Sequence, residues 1–186
     1  HPRCYCRPED SARTLVFPAL IAAVTDLAGS VTAVHRTWLD PAGGGKAPLE
    51  DPRRAMGNLL GHAVRFGVAD DVLAAGEGIE TVLSMREALP GMPLAAALSA
   101  NHLMAILFPP GLRVLYILRD LDPAGDAVVK NLSARAQAAG IQPVSLAPIA
   151  DDFNDDLCRL GAAGFAAHVL PQLVPEHVAR FGAEPA

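Results

Sequence analysis

Acidic side chains follow three apolar runs after residue 71, whose sequences are VLAA, LRVLYIL and IQPVSL. The acids at these points are Glu77, Asp120, Asp122, Asp152 and Asp155. If the runs are parallel strands, their carboxyl ends meet at one edge of a sheet, and acids far apart in sequence come together there. Carboxylates gathered in this way repel one another unless a cation offsets their charge. Mg²⁺ and Mn²⁺ take oxygen ligands and leave positions for phosphates, so the pattern indicates metal-assisted phosphoryl chemistry.

The local spacing of these acids favours a shared metal site. Asp120 and Asp122 are two residues apart, so on an extended segment both side chains lie on the same side. Gly78 follows Glu77 and allows close backbone approach where a helix begins, which is a favourable place for a phosphate. Glu80 falls in the first turn of that helix, where the helix dipole also favours an acid.

Strands and helices alternate from residue 71 onward. Apolar runs predict strands at 72–75, 94–98, 112–118 and 141–146. The spacing of apolar residues predicts helices at 79–89, 101–107 and 124–139, and a further helix that begins at residue 154. This alternation predicts an α/β fold, a doubly wound parallel sheet flanked by helices.

The first third of the chain is predicted to be a smaller, β-rich part. A β-hairpin is expected over residues 17–39, with its turn at 26–30, and a short strand is expected over 62–66. A loop rich in Pro and Gly occupies residues 40–52, and the first eight residues look irregular.

The two parts of the chain differ in charge. Residues 1–66 hold eight Lys and Arg against six Asp and Glu, whereas residues 67–186 hold seven against fourteen. We therefore expect a small basic subdomain at 1–68, the α/β domain at 69–172 and a polar tail at 173–186.

The composition limits the class of protein. With 186 residues, of which 51% are hydrophobic and 19% charged, the chain can bury a core without disulfides and is not a disordered segment. No apolar run reaches about 18 residues, so no membrane partner is expected. Three cysteines fit a reducing compartment, which predicts cytoplasmic residence, and a start at His1 rather than Met indicates a fragment. The net charge of −5 argues against tight nonspecific binding to nucleic acid, but it permits an enzyme that gathers carboxylates around metal ions.

The ordered set of acidic motifs resembles the Toprim domain, which bacterial-type primases, topoisomerases and some nucleases share. The motifs are Glu77-Gly78 after one strand, Asp120-Leu121-Asp122 with Gly125 after another, and the acidic segment 151–156. Within that set, the segments GEGIET at 76–81 and DFND at 152–155 look like the Toprim primases of plasmids, phages and other mobile elements. Residues 17–57 resemble the small basic subdomain that precedes Toprim in bacterial primases, so the resemblance covers about residues 15–162.

The resemblance implies a role for each matching acid. Glu77 is the catalytic residue, as a metal ligand or a general acid and base, and Asp120 and Asp122 hold Mg²⁺ or Mn²⁺. Asp152 completes a second metal position. Asn154 stands where these primases often have another acid, which leaves the geometry of that second position open.

The resemblance also implies contacts to nucleic acid and nucleotides. Arg36 and Lys46 match basic positions that line the template or nucleotide path in the resembling primases. Arg119 directly precedes Asp120 and is less usual at this position in the resembling primases, but its place beside the acid leads us to expect a contact to a phosphate. Glu80 and Asp155 are expected to support the ligands from behind.

The function implied is primer synthesis: a metal-dependent nucleotidyltransferase, the catalytic core of a DNA primase, making short RNA primers on single-stranded DNA. The expected partners are single-stranded DNA, nucleoside triphosphates and a replicative helicase, or a fused zinc-binding or helicase domain. Two alternatives stay open, a Toprim nuclease and a noncatalytic module that binds DNA or a replication partner.

Some of the same residues have simpler interpretations. Asp152 can be an ordinary helix N-cap, and Asp155 and Asp156 in the first turn of a helix can merely complement its dipole. Cys4 and Cys6 have a C-x-C spacing without a second pair, which is a poor zinc-binding pattern.

Overall fold

The structure is a computed structural model that describes residues 1–7 and 14–182. The chain forms two compact units, His1–Leu59 and Leu60–Ala186. Residues 8–13 of the expected basic subdomain and residues 183–186 of the expected tail lie outside the described residues.

The first unit contains a three-stranded antiparallel sheet. Its strands and those of a smaller two-stranded sheet are β1 Cys4–Cys6, β2 Leu15–Phe17, β3 Ala19–Thr25, β4 Val31–Trp38 and β5 Arg53–Gly57. The strand order β3-β4-β5 confirms the predicted hairpin. Its turn is closed by the Asp26 side chain, which accepts hydrogen bonds from the backbone N–H groups of Ala28 and Ser30 at 2.9 Å each.

The sequence suggested an irregular start of the chain, but a strand is present there. Strand β1 pairs antiparallel with β2. A small apolar cluster holds this pairing in place, and it is formed by Cys6, Ala19, Trp38 and Ala47, with Cys4, Phe17 and Leu49 against it. The alternation of cysteines with exposed Tyr5 is therefore the signature of a strand with one buried face.

The second unit is built on a five-stranded sheet. Its strands are β6 Val64–Phe66, β7 Val72–Gly76, β8 Leu94–Ala96, β9 Val114–Leu118 and β10 Gln142–Leu146. They lie in the order β10-β9-β7-β8-β6. All neighbours are parallel except β6, which pairs antiparallel with β8 at the edge. The short strand predicted at 62–66 therefore pairs in this sheet and not with the hairpin of the first unit.

Helices cover both faces of this sheet, as the predicted doubly wound fold requires. They are α1 Ile79–Ala88, α2 Ala100–Met104, α3 Pro123–Ala138 and α4 Phe153–Val169, which is kinked at Gly161. Helices α2 and α3 pack together on the face that carries Leu73 and Ala75, whereas α1 and α4 pack together on the other. In the part of the chain that is described, no helix has the length and apolarity to cross a membrane.

The segment expected to be a polar tail contains a helix instead. Helix α5 spans Pro175–Phe181, and its His177 and Phe181 are buried. His177 Nδ1 lies 2.7 Å from the hydroxyl of Tyr116 in β9, and that hydroxyl accepts a hydrogen bond from Val174 N at 3.0 Å. At the surface, Arg180 bonds Asp71 at 2.7 Å and lowers the pKa of that carboxyl.

We predict that Tyr116→Phe destabilises the second unit by about 1–3 kcal/mol, because buried His177 and the Val174 N–H both lose their partner. Urea denaturation followed by circular dichroism measures the change. Tyr5→Phe is the matched control, because Tyr5 is 67% exposed, and it should change the free energy of unfolding by less than about 0.5 kcal/mol. Equal effects of the two substitutions would show that the Tyr116 hydroxyl does not hold α5.

Candidate active site

Glu77 directly follows strand β7, at the carboxyl end of the sheet. The ladder between β7 and β8 continues past the strand ends, because Ala97 N donates to Gly76 O at 2.9 Å and Leu98 N donates to Glu77 O at 2.8 Å. Leu98 has a φ of +76°, a left-handed conformation that is unfavourable for leucine. The backbone of Glu77 is therefore fixed by its neighbour in the sheet, and its half-buried side chain projects from that fixed point.

Asp120 and Asp122 follow β9, the strand beside β7. Asp122 is the N-cap of α3, and its Oδ1 accepts a hydrogen bond from Gly125 N at 2.6 Å. A Cβ atom on Gly125 would lie 2.1 Å from the carbonyl oxygen of Asp120. Only glycine therefore allows α3 to begin this close to the Asp120 backbone.

Asp152 follows β10, the strand on the other side of β9. It is the N-cap of α4, and its Oδ1 accepts a hydrogen bond from Asp155 N at 2.8 Å. The loops after β9 and β10 are joined, because Leu121 N donates to the Asp151 carbonyl oxygen at 2.8 Å. The order β10-β9-β7 thus brings Asp152, Asp120 and Glu77 to one edge of the sheet.

The electrostatics of Asp120 reflect this arrangement. Burial, followed by the negative charges of Glu77, Asp152 and Asp122, raises the pKa of Asp120 to about 7. Its Oδ1 is buried and has no hydrogen-bond partner. A buried carboxylate oxygen among like charges needs a cation to be stable in its ionised form.

These residues fit an oxygen-ligated divalent cation, on the observation that Asp120 Oδ1 lacks a partner while three other carboxylates act on it. Asp122 and Asp152 each commit Oδ1 to a helix terminus, which leaves Oδ2 for a ligand. Among residues 1–7 and 14–182, no three Asp, Glu, His or Cys side chains already form a closed metal-binding group. The fold brings the acids to one edge without closing a ligand shell.

Arg119 is engaged with an acid of helix α3. Its Nη2 lies 2.6 Å from Asp126 Oδ1, and its side chain is 32% exposed. Because Nε is buried without a partner, one donor of the guanidinium is still unused. A phosphate contact by Arg119 would therefore compete with, or add to, the ion pair that it makes with Asp126.

The other predicted residues lie at different places. Glu80 is in the first turn of α1, with its carboxylate near Gly78, and Asp155 is exposed in the first turn of α4. Arg36 and Lys46 belong to the first unit. The Arg36 guanidinium lies 5.2 Å from the centroid of the Trp38 ring. Lys46 is exposed, and its backbone forms an isolated antiparallel β-bridge with Leu39.

A link between two helices at this edge was missed by the sequence analysis. Ser84 Oγ in α1 lies 3.4 Å from Asn154 Oδ1 in α4. Asn154 therefore joins the helix that follows Glu77 to the helix that follows Asp152. The two residues are 70 positions apart, and neither the apolar spacing nor the acidic motifs indicate a contact between them.

Two family models match the chain, and the parts that they match correspond approximately to the two units of the structure. Residues 1–66 match a family described as a domain of unknown function (DUF7146), and residues 72–163 match a family described as Toprim domain. Residues 72–163 are a Toprim domain. The family predicted from the acidic motifs is thereby confirmed, and Toprim domains generally bind divalent metal ions.

Solved primase structures share the fold of this Toprim protein. The primase fragment of the bacteriophage T7 primase-helicase protein is 14% identical, with a TM-score of 0.57, over 83% of this chain and 61% of that one. A DNA primase domain from Pseudomonas aeruginosa is 13% identical, with a TM-score of 0.55, over 95% of this chain and 56% of that one. The Aquifex aeolicus primase, with its zinc-binding and RNA polymerase domains, is 16% identical, with a TM-score of 0.51, over 86% of this chain and 41% of that one.

These likenesses establish the predicted fold class, and they extend over more of this chain than of the primases. The chain spans between two fifths and about three fifths of the length of these three structures. A comparison with curated protein sequences found no match.

We predict that Asp120→Asn stabilises the metal-free Toprim domain at about pH 8. The pKa of Asp120 is about 7 in the folded chain against an ordinary 3.8. Between these values the unfolded chain loses a proton that the folded chain keeps, so stability falls as the pH rises. Asparagine avoids this loss, and the advantage should shrink as the pH is lowered toward about 4.

Urea denaturation in EDTA across this pH range measures the effect. Asp70→Asn is the control, because Asp70 is an exposed acid just before β7. It lies at the amino end of this strand, whereas the acidic site is at the carboxyl end. An Asp120→Asn variant that is less stable than wild type at pH 8 would contradict the buried, unpartnered state of the carboxyl.

Proposed function

We propose that this chain is the catalytic core of a DNA primase, a metal-dependent nucleotidyltransferase that makes short RNA primers on single-stranded DNA. The observation that carries the proposal is the shared edge of Glu77, Asp120, Asp122 and Asp152, with a buried Asp120 oxygen that has no partner. The Toprim family match over residues 72–163 and the primase folds of the similar structures support it.

The four acids would hold Mg²⁺ or Mn²⁺ at this edge. Such an ion offsets charge on a triphosphate and lowers the pKa of a hydroxyl that is bound to it. Asp120 would supply the oxygen that lacks a partner, and Asp122 and Asp152 would supply the oxygens that helix capping leaves over.

Glu77 would handle the proton of the reaction. The primer 3′-hydroxyl attacks the α-phosphorus of the incoming nucleoside triphosphate, the bond to the bridging oxygen of the β-phosphate breaks, and pyrophosphate leaves. Glu77 accepts the hydroxyl proton, a role for which its fixed backbone and half-buried carboxylate are suited. Asp155 would orient Asp152 through its backbone N–H, which donates to Asp152 Oδ1 at 2.8 Å, and Glu80 would support the site from the first turn of α1.

Basic side chains would hold the phosphates of template and nucleotide. Arg119 would contact a phosphate through the exposed part of its guanidinium, in competition with Asp126. In the first unit, Arg36 lies opposite Ile21 and Arg54 across the three strands, so it presents charge beside an exposed apolar side chain. Arg36 and Lys46 would contact the single-stranded DNA.

The remaining parts of a primase would lie on other segments or partners. The similar structures carry names that include a helicase and a zinc-binding domain. We propose that a template-reading zinc module and a replicative helicase, fused or separate, act with this chain.

We predict that the chain joins labelled ribonucleotides into short primers on single-stranded DNA in the presence of Mg²⁺ or Mn²⁺. Glu77→Gln and Asp120→Asn should each lower the rate at least about 100-fold, because one removes the proton acceptor and the other a ligand. Asp70→Asn, which also removes one exposed carboxylate, should keep the wild-type rate.

Other outcomes of this assay identify the alternatives. Strand scission without any triphosphate would indicate a Toprim nuclease. If DNA binding is the only activity, and neither substitution changes it or the metal titration, the chain is a noncatalytic module and primer synthesis is excluded.

We predict that Arg36→Ala and Lys46→Ala each weaken binding to single-stranded DNA and reduce the salt dependence of binding. Each lost phosphate contact should lower the magnitude of the slope of log K against log salt by about 0.7. Fluorescence anisotropy at several salt concentrations measures this slope. Lys130→Ala, which removes an exposed charge on α3, should leave the slope unchanged, and equal effects of all three would indicate nonspecific attraction only.

A further inference from the structure

Side chains hold residues 147–150 of the loop between β10 and Asp152. Ala147 N donates to Gln172 Oε1 at 2.9 Å, and Ala147 O accepts from Gln172 Nε2 at 3.1 Å. His168 Nε2 lies 2.9 Å from the same carbonyl oxygen. His168 lies near the end of α4, and Gln172 lies in the 3₁₀ turn Leu170–Gln172 that follows this helix.

Asp156 holds the next part of this loop. Its carboxylate is fully buried, and its two oxygens accept hydrogen bonds from Ile149 N at 2.7 Å and Ala150 N at 2.8 Å. His168 Nε2 lies 3.9 Å from the same group. The sequence suggested only a dipole-complementing acid here, yet the side chain is used to bind backbone.

The bonds to Asp156 end immediately before the acidic motif. Ala150 is followed by Asp151, whose carbonyl oxygen accepts from Leu121 N in the loop that carries Asp120 and Asp122. Asp152 comes next and begins α4. A shift of residues 149–150 would therefore be passed to Asp152 and to the contact between the two acidic loops.

We propose that Asp156 is a positioning residue for the metal site: it orders the backbone of residues 149–150 and thereby sets where Asp152 presents its free oxygen. The proposal rests on the proposed metal-holding role of Asp152, although not on primer synthesis. Hydrogen-bonded groups behind metal ligands commonly affect metal affinity by 10- to 100-fold.

The two acceptors of a carboxylate are what this position requires. Two backbone N–H groups converge on Asp156, and an ionised carboxylate offers an acceptor to each. An asparagine would turn an NH₂ group toward one of them, which leaves a buried donor without a partner. Asp156→Asn therefore disturbs the loop while it keeps the size of the side chain.

Mn²⁺ titration of the full chain, followed by the electron paramagnetic resonance signal of free Mn²⁺, tests the proposal. Asp156→Asn should raise the dissociation constant about tenfold with unchanged stoichiometry. Glu87→Gln, on the exposed side of α1, removes the same charge and should leave the constant unchanged. A merely structural role would lower the amount of Mn²⁺ bound per chain, in proportion to unfolded protein, without changing the constant.

Gln172→Ala keeps the test decisive if Asp156→Asn does not fold. It releases Ala147, three residues before Ala150, and should raise the same constant by a smaller factor. Unchanged Mn²⁺ affinity in the folded variants, or no Mn²⁺ binding by the wild type, would overturn the proposal. A wild type that binds Mn²⁺ but makes no primers would refute the proposed function and leave the role of Asp156 standing on its own measurement.

Discussion

Repulsion among carboxylates at one edge of the sheet is the constraint on which this site depends. The strand order places the loops after β7, β9 and β10 side by side. Their acids therefore lie close together although their negative charges repel one another. Burial, together with this repulsion, raises the pKa of Asp120 to about 7, and Oδ1 of this residue has no partner. Hydrogen bonds of the backbone resist this repulsion, notably Leu121 N to Asp151 O and Leu98 N to Glu77 O.

The capping and ligand interpretations of the aspartates do not exclude one another. Asp122 and Asp152 both cap helices through Oδ1, as the simpler interpretation of Asp152 expected. A cap uses one acceptor of a carboxylate and fixes the rotation of the side chain, so the second oxygen points in a defined direction. In the proposed metal site, capping would therefore order these side chains before a cation binds, which would lower the conformational entropy lost on binding.

The sequence was informative where a signal is local. Apolar runs predicted the strands, their alternation with helices predicted a parallel sheet, and the acids that follow three of the runs predicted the shared edge. The β1 strand and α5 were missed because their partners are distant: Cys6 packs against Trp38, and His177 meets Tyr116. The backbone hydrogen bonds of Asp156 were missed for the same reason, since they depend on a loop that packs back onto its own helix. The expected domain boundary at residue 68 stays a prediction.

In the sheet of the second unit, the amino ends and the carboxyl ends of the strands differ in how fully the polar groups around them are hydrogen-bonded. At the amino end, the Tyr116 hydroxyl has two partners and Asp71 is paired with Arg180, so α5 closes that end. At the carboxyl end, a buried oxygen of Asp120 and a strained Leu98 persist side by side with the acids. Strain and unsatisfied charge are tolerated only where the rest of the fold supplies stability, and they concentrate where a ligand is to be bound. In the proposed metal site, the tightly bonded amino end would supply stability that offsets the strain and the unsatisfied charge at the carboxyl end.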